Sequence, residues 1–412
     1  MILNYLWIGF FLIAFIVALI RVGMGDTAIL KTMMDGVFDS ASTGVTISMG
    51  LIGVMSLFLG FMNIGEKAGA VRFLSRIVGP FFSKLFPDLP KNHPAMGHMM
   101  MNFSANLLGL DNAATPFGLK AMESMQQDNP NKEVASNSQI MFMVLHASGL
   151  TLIPVSIIAQ RVLLKSNNPT EIFIPCMIGT FVATIVAMSV TAIWQKFTWQ
   201  QWKAILALSL IGSVVLAGMG IYLRLYLTKE GATTFSNLVS NGLILLLFIV
   251  FIIGGLVKKV MVFDAFIDGA KQGFDVAIKI IPYLVGIFVG ISLLRTCGAF
   301  DYMVQGLSWV CHAVGIDDQF VPAMPTAFIK PFSGGGARAM MLDAMKVYGP
   351  DSFVGRLACV FQGSADTTFY IVAVYFGSVG IKNTRYAVSA ALLADLAGII
   401  TAIFLAYYWP WS

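Results

Sequence analysis

Residues 102–118 read NFSANLLGLDNAATPFG, and residues 330–341 read KPFSGGGARAMM. Each is a polar, glycine-containing segment within membrane-grade hydrophobic sequence. A second polar interruption follows each one, VLHASGLTLIP at 144–154 and VFQGSADTTFYIV at 360–372. Backbone that leaves a helix at membrane depth is tolerated only where protein or water satisfies its N–H and C=O groups. Paired interruptions at matching places in two halves therefore predict a transporter-like binding site.

The composition is that of an integral membrane protein. The 412 residues are 57% hydrophobic and 11% charged, with a mean hydropathy of +0.80, whereas soluble domains carry about 25% charged residues. Lys and Arg are dispersed over many short loops, which argues against nucleic-acid binding. The four cysteines lack metal-site spacing, and no ATPase-type loop or nucleophile turn is recognisable. We therefore expect no metal, no cofactor and no enzymatic activity.

Hydrophobic segment lengths predict an all-α polytopic membrane fold. Full spans are expected near residues 3–22, 43–64, 138–164, 171–195, 204–225, 236–257, 280–296, 353–379 and 386–408. Shorter amphipathic helices are expected at 27–40, 66–86, 261–278 and 300–315. Residues 94–127 and 320–347 are too polar and too interrupted by Gly and Pro for ordinary spans. Each is predicted to form a re-entrant helical hairpin, and the span that follows each is predicted to be a discontinuous helix.

Weak internal similarity divides the chain into two repeats. VLHASGLT (144–151) aligns with VFQGSADT (360–367), and the surrounding pattern of spans and hairpins repeats with it. We assign residues 1–196 to the first repeat, residues 197–230 to a linker span and residues 231–412 to the second repeat. The extra span reverses the second repeat, so the hairpins should enter from opposite faces as an inverted repeat.

The polar segments supply candidate solute-binding residues. The first hairpin offers small groups that can hydrogen-bond hydroxyls or a heterocycle edge, and the second offers cations beside three glycines, which suits a carboxylate or phosphate. The candidates are Asn102, Ser104, Asn106, Asn112, Thr115, His146, Ser148, Lys330, Ser333, Arg338, Gln362, Ser364 and Thr367. The alternative interpretations are helix capping in the first hairpin and, in the second, a tight turn whose cations pair with Asp343 or extend to headgroups.

Two carboxylates inside predicted spans are candidates for cation coupling. Asp366 is the only charged residue between Arg356 and Lys382, and Asp395 lies near the middle of the last span. A charge in hydrocarbon is costly, so such groups often serve ion or proton pathways. Coupling to Na⁺ or H⁺ is the functional interpretation, and a structural carboxylate bonded to a neighbouring helix is the alternative. His146 is consistent with proton relay, solute binding or helix packing.

The same segments resemble a known family. NLLGLDNAATPFGLKAM (106–122) closely resembles the signature stretch of spore maturation protein A. PFSGGGARAMMLD (331–343) and GSADTTFYIVAVYFGSVG (363–380) closely resemble spore maturation protein B. The chain thus looks like a fusion of an A-like repeat with a B-like repeat. Both proteins are assigned to the nucleoside-recognition, or Gate, domain family, which is related to concentrative nucleoside transporters.

The resemblance implies a Gate-like fold in which hairpin tips and broken spans line one central site. It implies a secondary-transporter-like protein for a small polar solute, either a nucleoside or nucleobase or an organic anion. Lys330 and Arg338 fit an anionic solute better than a neutral one. A bacterial inner membrane and a homo-oligomer are further expectations. The competing hypothesis is a non-transporting membrane scaffold, or a regulator of envelope or spore-maturation-type processes.

Overall fold

The computed structural model describes residues 2–90, 93–108, 111–151, 154–226 and 229–411, and these residues are almost entirely helical. The helices are α1 Ile2–Gly23, α2 Ile29–Lys67, α3 Ala70–Leu85, α4 Pro94–Leu107, α5 Asp111–Gln127, α6 Asn137–Ala147, α7 Val155–Leu163, α8 Phe173–Trp194, α9 Trp199–Tyr226, α10 Lys229–Val257, α11 Val262–Cys297, α12 Ala299–Ala313, α13 Met324–Ile329, α14 Gly334–Tyr348, α15 Phe353–Gly363, α16 Thr368–Ser378 and α17 Ala387–Tyr408. The predicted all-α class is confirmed.

The predicted interruptions are present in both halves. Helices α4 and α5 form the first hairpin, and α13 and α14 form the second. The first broken span consists of α6 and α7, and the second consists of α15 and α16. The described chain leaves the helix at Ser148 and Gly149 in the first broken span, and from Ser364 to Thr367 in the second. Polar residues and glycine replace apolar helix formers there.

Two predicted helix boundaries were wrong. Helix α2 joins the predicted amphipathic helix 27–40 to the predicted span 43–64, and α11 likewise joins 261–278 to 280–296. The first junction contains Ser, Ala and Thr but neither Gly nor Pro, so nothing in it terminates a helix. The two long helices pack against each other, which stabilises their polar turns inside one continuous helix.

Helices α2 and α11 run antiparallel. The Ser56 hydroxyl donates to the Ala270 carbonyl at 2.9 Å. The Asn63 side-chain amide donates to the Ala265 carbonyl at 2.6 Å. As the residue number rises along α2, the number of the partner on α11 falls. Because these helices occupy equivalent positions in the two repeats, their antiparallel packing is the arrangement that an inverted repeat requires.

The last helices of the two repeats, α8 and α17, also pack antiparallel. Near one end, the rings of Trp194 and Tyr386 have centroids 5.1 Å apart. Farther along, a side chain added at either Gly179 or Gly398 would meet Ser364 in the second break. The small residues let both helices approach this break closely.

By length and composition, several helices suit a membrane. The helical segments long and apolar enough to cross are Ile29–Lys67, Phe173–Trp194, Phe353–Ser378 and Ala387–Tyr408, with the bent pair Leu284–Cys297 and Ala299–Ala313 as a further candidate. Shorter apolar helices are Trp7–Gly23 and Asn241–Val257. Many side chains of the predicted span 204–225 and linker 197–230 lie outside the described set. The chain is an integral membrane protein.

A buried ionic network joins the outer ends of the two broken spans. Arg161, at the end of α7, is fully buried and donates to Glu171 at 2.5 Å and to Asp351 at 2.9 Å. Arg356, on the first turn of α15, donates to the same Glu171 carboxylate at 2.7 Å. Each buried charge therefore has a partner of opposite sign.

Candidate functional site

The two broken spans touch each other at their breaks. The N–H of Asp366, between α15 and α16, donates to the carbonyl of Ala147, the last residue of α6, at 2.9 Å. Gly149 lies beside this bond with φ +64°, and a Cβ at this position would stand 2.8 Å from the Asp366 nitrogen. Only glycine accommodates both the left-handed backbone and this approach. The non-helical backbone of one half is thus satisfied by the other half.

A buried polar cluster surrounds His146 next to this crossing. Its Nδ1 lies 3.0 Å from Asn102 Oδ1, 3.1 Å from Asn106 Nδ2 and 3.1 Å from the Tyr375 hydroxyl. The asparagines come from α4 in the first hairpin, the histidine from α6 and the tyrosine from α16. The Asn102 amide also donates to the Tyr375 hydroxyl at 3.1 Å, so these four side chains form one connected polar cluster.

Asp366 presents an accessible carboxylate at the crossing. Its side chain is 39% exposed, and Oδ2 lies 3.8 Å from His146 Nε2. The other oxygen accepts the N–H of Thr367 at 2.7 Å. Because a carboxylate facing lipid is costly, an exposed one in the middle of a span indicates that water or a solute reaches it. The two predicted titratable groups, Asp366 and His146, are neighbours.

The second hairpin turns at a capped helix start. Helix α14 begins at Gly334. The Ser333 hydroxyl accepts the N–H of Gly336 at 2.9 Å, which is an N-cap bond. Lys330, buried at the end of α13, and Arg338, half-buried on the first turns of α14, flank this start. Positive charge and a helix N-terminus therefore occur together at this tip.

The tip of the second hairpin packs on the second break. A Cβ at Gly334 would lie 2.7 Å from the Thr367 hydroxyl, so glycine is needed for this approach. Gln362 donates from its amide to the Gly334 carbonyl at 3.4 Å. The N–H of Phe369 donates to the Pro331 carbonyl at 2.9 Å. In the second repeat, the hairpin tip and the break are thus joined by direct contacts.

Asp395 is a second buried carboxylate on α17. One of its oxygens accepts the Thr368 hydroxyl at 2.7 Å, next to the second break. The other oxygen has no hydrogen-bond partner among the described residues, and Asp395 is 4% exposed. Asp395 is thus bonded to a neighbouring helix, as the structural interpretation expected. Its second oxygen is an acceptor without a described partner, which leaves the ion-coupling interpretation open.

Several predicted residues lie near the crossing without pointing into the His146 cluster. The Ser148 hydroxyl bonds within α6 and to Thr184 of α8, and the Ser364 hydroxyl bonds to the preceding turn. Ser104 is buried, with no hydrogen bond to its hydroxyl among the described residues. Thr115 is half-buried, and the side chain of Asn112 lies outside the described part of the chain.

Four aromatic residues at the site were not predicted. Tyr375 completes the His146 cluster, and Phe142 stacks on it with ring centroids 5.5 Å apart. Phe332 and Phe369 form a stacked, partly exposed pair beside the second break, with centroids 5.0 Å apart. A hydroxyl inside the apolar run of α16 is the signal that could have identified Tyr375.

Metal binding has no visible basis in the part of the chain that the structure covers. No three His, Cys, Asp or Glu side chains converge there as ligands for an ion. The methionine-rich stretch 96–101 instead contributes buried packing, with Met96 and Met99 inside the core.

Two antiparallel repeats with paired hairpins and crossing broken helices define a class of polytopic helical membrane protein. The family model for the Gate domain, described as nucleoside recognition, matches residues 48–162 and 277–382. The chain therefore belongs to the Gate family. The first matched segment contains the broken span of α6 and α7, and the second contains that of α15 and α16.

Two curated relatives match different parts of the chain. One stretch of 151 residues is 47% identical to spore maturation protein B of Bacillus subtilis (strain 168), covering 37% of this chain and 83% of that protein. Another stretch of 185 residues is 40% identical to spore maturation protein A of the same organism, covering 45% of this chain and 91% of that protein. The expected fusion of an A-like with a B-like protein is confirmed.

Proposed function

We propose that this chain is a secondary-transporter-like membrane protein that binds a small polar solute where its two broken spans cross. The observation that carries this proposal is the bond from the Asp366 N–H to the Ala147 carbonyl beside an exposed carboxylate. Such a crossing leaves backbone groups and a charge at membrane depth, which is useful only where a hydrated solute site exists.

A nucleoside or nucleobase is the solute class that the site chemistry favours. Asn102, Asn106 and Tyr375 carry donors and acceptors suited to the edge of a heterocycle. The stacked pair Phe332 and Phe369 offers an aromatic face on which a flat ring can stack. An organic anion is the second class, supported by the cations at the second hairpin.

Coupling to H⁺ is more consistent with the site than coupling to Na⁺. Asp366 Oδ2 lies 3.8 Å from His146 Nε2, and adjacent Asp and His side chains within membrane spans are typical of proton pathways. Na⁺ requires a shell of oxygen ligands, and an imidazole nitrogen is a poor member of such a shell. Asp395, with one unused oxygen, is the second coupling candidate.

Uptake by reconstituted protein tests the proposal. Proteoliposomes are offered labelled nucleosides, nucleobases and organic anions under a proton gradient or a sodium gradient. Wild-type protein should accumulate one class, whereas Asp366→Asn and Asn102→Ala should lose at least roughly tenfold in uptake, the effect of losing one hydrogen bond to the solute. Asp301→Asn removes an exposed carboxylate on α12 and should behave as wild type. Wild-type protein that neither binds nor moves any of these solutes would refute transport.

A non-transporting scaffold is the alternative, and one surface feature favours it. The amphipathic helix α3 exposes Phe73 and Ile77 alongside Arg72 and Arg76, a surface that a membrane-associated partner could cover. Affinity purification from membranes would return a stoichiometric partner under this hypothesis, and that partner would be lost on Phe73→Ser and Ile77→Ser substitution.

A further inference from the structure

A polar pocket lies away from the crossing, among α2, α11 and α14. Its volume is about 310 Å³, and its walls come from both repeats. This volume is at the lower end of the range of small-molecule sites, which is about 300–1,000 Å³. Phe288 forms an apolar part of the wall, and the remaining lining is dominated by hydroxyl groups and charges.

Three hydroxyls in this pocket have no hydrogen bond to another described residue. Within the described residues, no hydrogen bond joins the hydroxyl of Ser40, Ser292 or Thr296 to another group. Serine and threonine in helices commonly donate to a carbonyl one turn back. Thr46 and Ser48 of the same helix α2 do this, at 3.0 and 2.9 Å. The three pocket hydroxyls therefore remain available to a ligand.

The charges in the pocket sum to one positive charge. Arg295 donates to Asp343 at 2.5 Å, so these two side chains neutralise each other. Lys346 adds an ammonium group whose only hydrogen bond among the described residues is to the Thr43 hydroxyl, at 3.2 Å. An ammonium with several free hydroxyls matches an anion that has three or more acceptor oxygens. The donors stand on three helices, so the three or more oxygens of a phosphate group reach more of them at once than the two oxygens of a carboxylate.

The pocket lies at a helix end rather than in the middle of the fold. The guanidinium of Arg21, at the end of α1, donates to the carbonyls of Thr296 and Cys297 at 3.4 and 3.3 Å. Cations at the ends of apolar helices mark the level of the headgroups. The pocket is thus open near the membrane surface, where phosphate groups of lipids and soluble phosphate esters are both present.

The first repeat does not carry the same charge at the position that matches Asp343. The segment GLKAM (118–122) corresponds to MLDAM (341–345), so the first repeat has Lys120 where the second has Asp343. The acidic member of the Arg295 and Asp343 pair is therefore specific to the second repeat. We propose that this pocket is a second binding site, for a phosphate-bearing anion, distinct from the solute site at the crossing.

Binding to detergent-solubilised protein, measured by native mass spectrometry and thermal shift, tests this site. Phosphatidylglycerol and glycerol 3-phosphate are the two phosphate probes, and diacylglycerol and glycerol are their phosphate-free counterparts. Wild-type protein should bind at least one phosphate probe and neither counterpart. Binding of the lipid alone assigns a headgroup, and binding of glycerol 3-phosphate alone assigns a soluble ester.

Variants separate this pocket from general charge effects. Lys346→Ala and Ser292→Ala should each weaken binding of the phosphate probe by roughly tenfold. Lys67→Ala removes an exposed lysine at the far end of α2 and should leave binding unchanged. Asp366→Asn alters the solute site at the crossing and should bind the phosphate probe as wild type does. Phosphate binding at the pocket can therefore be observed even if the transport proposal fails. Absence of phosphate binding, or equal binding by wild type and both pocket variants, would overturn the proposal.

Discussion

Gly149 is the residue on which contact between the two breaks depends. Its left-handed backbone and the 2.8 Å approach of the Asp366 nitrogen both exclude a side chain. Gly380 has a similar φ of +72° but open space around its Cβ position, so it is a matched control. The comparison separates backbone strain, present at both positions, from steric conflict, present only at the crossing.

We expect Gly149→Ala to destabilise the protein more than Gly380→Ala. Alanine in the left-handed region costs about 1–2 kcal/mol at either position, and displacing Asp366 adds to this cost only at Gly149. Thermal unfolding of the two purified variants in detergent would measure the difference. Equal losses of stability would show that the two breaks do not depend on close contact.

Asp351 lies outside the membrane-spanning segments, and its carboxylate makes the stability of the folded protein depend on pH in acid. Burial opposes its ionisation, but hydrogen bonds from Ser166 and Asn167 and the charge of Arg161 outweigh this, so its pKa lies below the usual value of 3.8. A lowered pKa stabilises the folded state above the unfolded pKa, near 3.9, and this contribution is lost as the pH falls through the folded value.

We therefore expect the advantage of wild type over Asp351→Asn to be constant at neutral pH and to shrink below about pH 4. Thermal unfolding midpoints measured from about pH 6 to about pH 3 would test this. An advantage that persists unchanged at the acid end would contradict the assigned role of the Asp351 carboxylate.

At the scale of elements, ion pairs join the broken spans at both of their outer ends, and the two sets of ion pairs differ in burial. At one end, Glu171 lies buried between Arg161 and Arg356. At the opposite end, Glu133 pairs with Lys382, and both side chains are largely exposed. Water and salt screen the exposed pair, whereas the buried Glu171 network is screened much less.

Glu171→Gln should therefore destabilise the protein by about 3 kcal/mol or more, because it leaves buried arginine charge without compensation. Glu133→Gln removes the same charge at the exposed end and should change stability little. Unfolding in detergent at two salt concentrations would measure both variants. A comparable loss in both would show that the Arg161 network contributes no more than a surface ion pair.

The elements that the sequence predicted well are those with local signals. Glycine, proline and polar residues within a hydrophobic run indicated the hairpins and the broken spans. A helix inside a membrane can be interrupted only where other groups bond its free N–H and C=O groups, and such places carry these residues. The length of α2 and α11 was missed because tertiary packing extends helices through polar turns. Tyr375 was missed for a similar reason: its partners Asn102 and His146 are distant in sequence, and only folding brings them together.

At the scale of the whole molecule, contacts at the ends of the broken spans define two opposite faces. The segment before α6 bonds to the segment after α16, through Glu133 and the N–H groups of Lys382 and Asn383. The segment before α15 bonds to the segment after α7, through Asp351 and Ser166. The broken spans therefore run in opposite directions, so equivalent loops of the two repeats emerge on opposite sides.

This topology predicts that Asn131, in the loop before α6, and Asn167, in the loop after α7, face opposite sides of the membrane. Both residues are exposed, so single cysteines there should react readily. Cys176, Cys297 and Cys359 are buried, and a Cys311→Ser background removes the one partly exposed native thiol. In sealed inside-out and right-side-out vesicles, a membrane-impermeant maleimide should label Asn131→Cys and Asn167→Cys in opposite preparations. Labelling of both in the same preparation would mean that α6 and α7 do not cross the bilayer, and the inverted repeat would then be untenable.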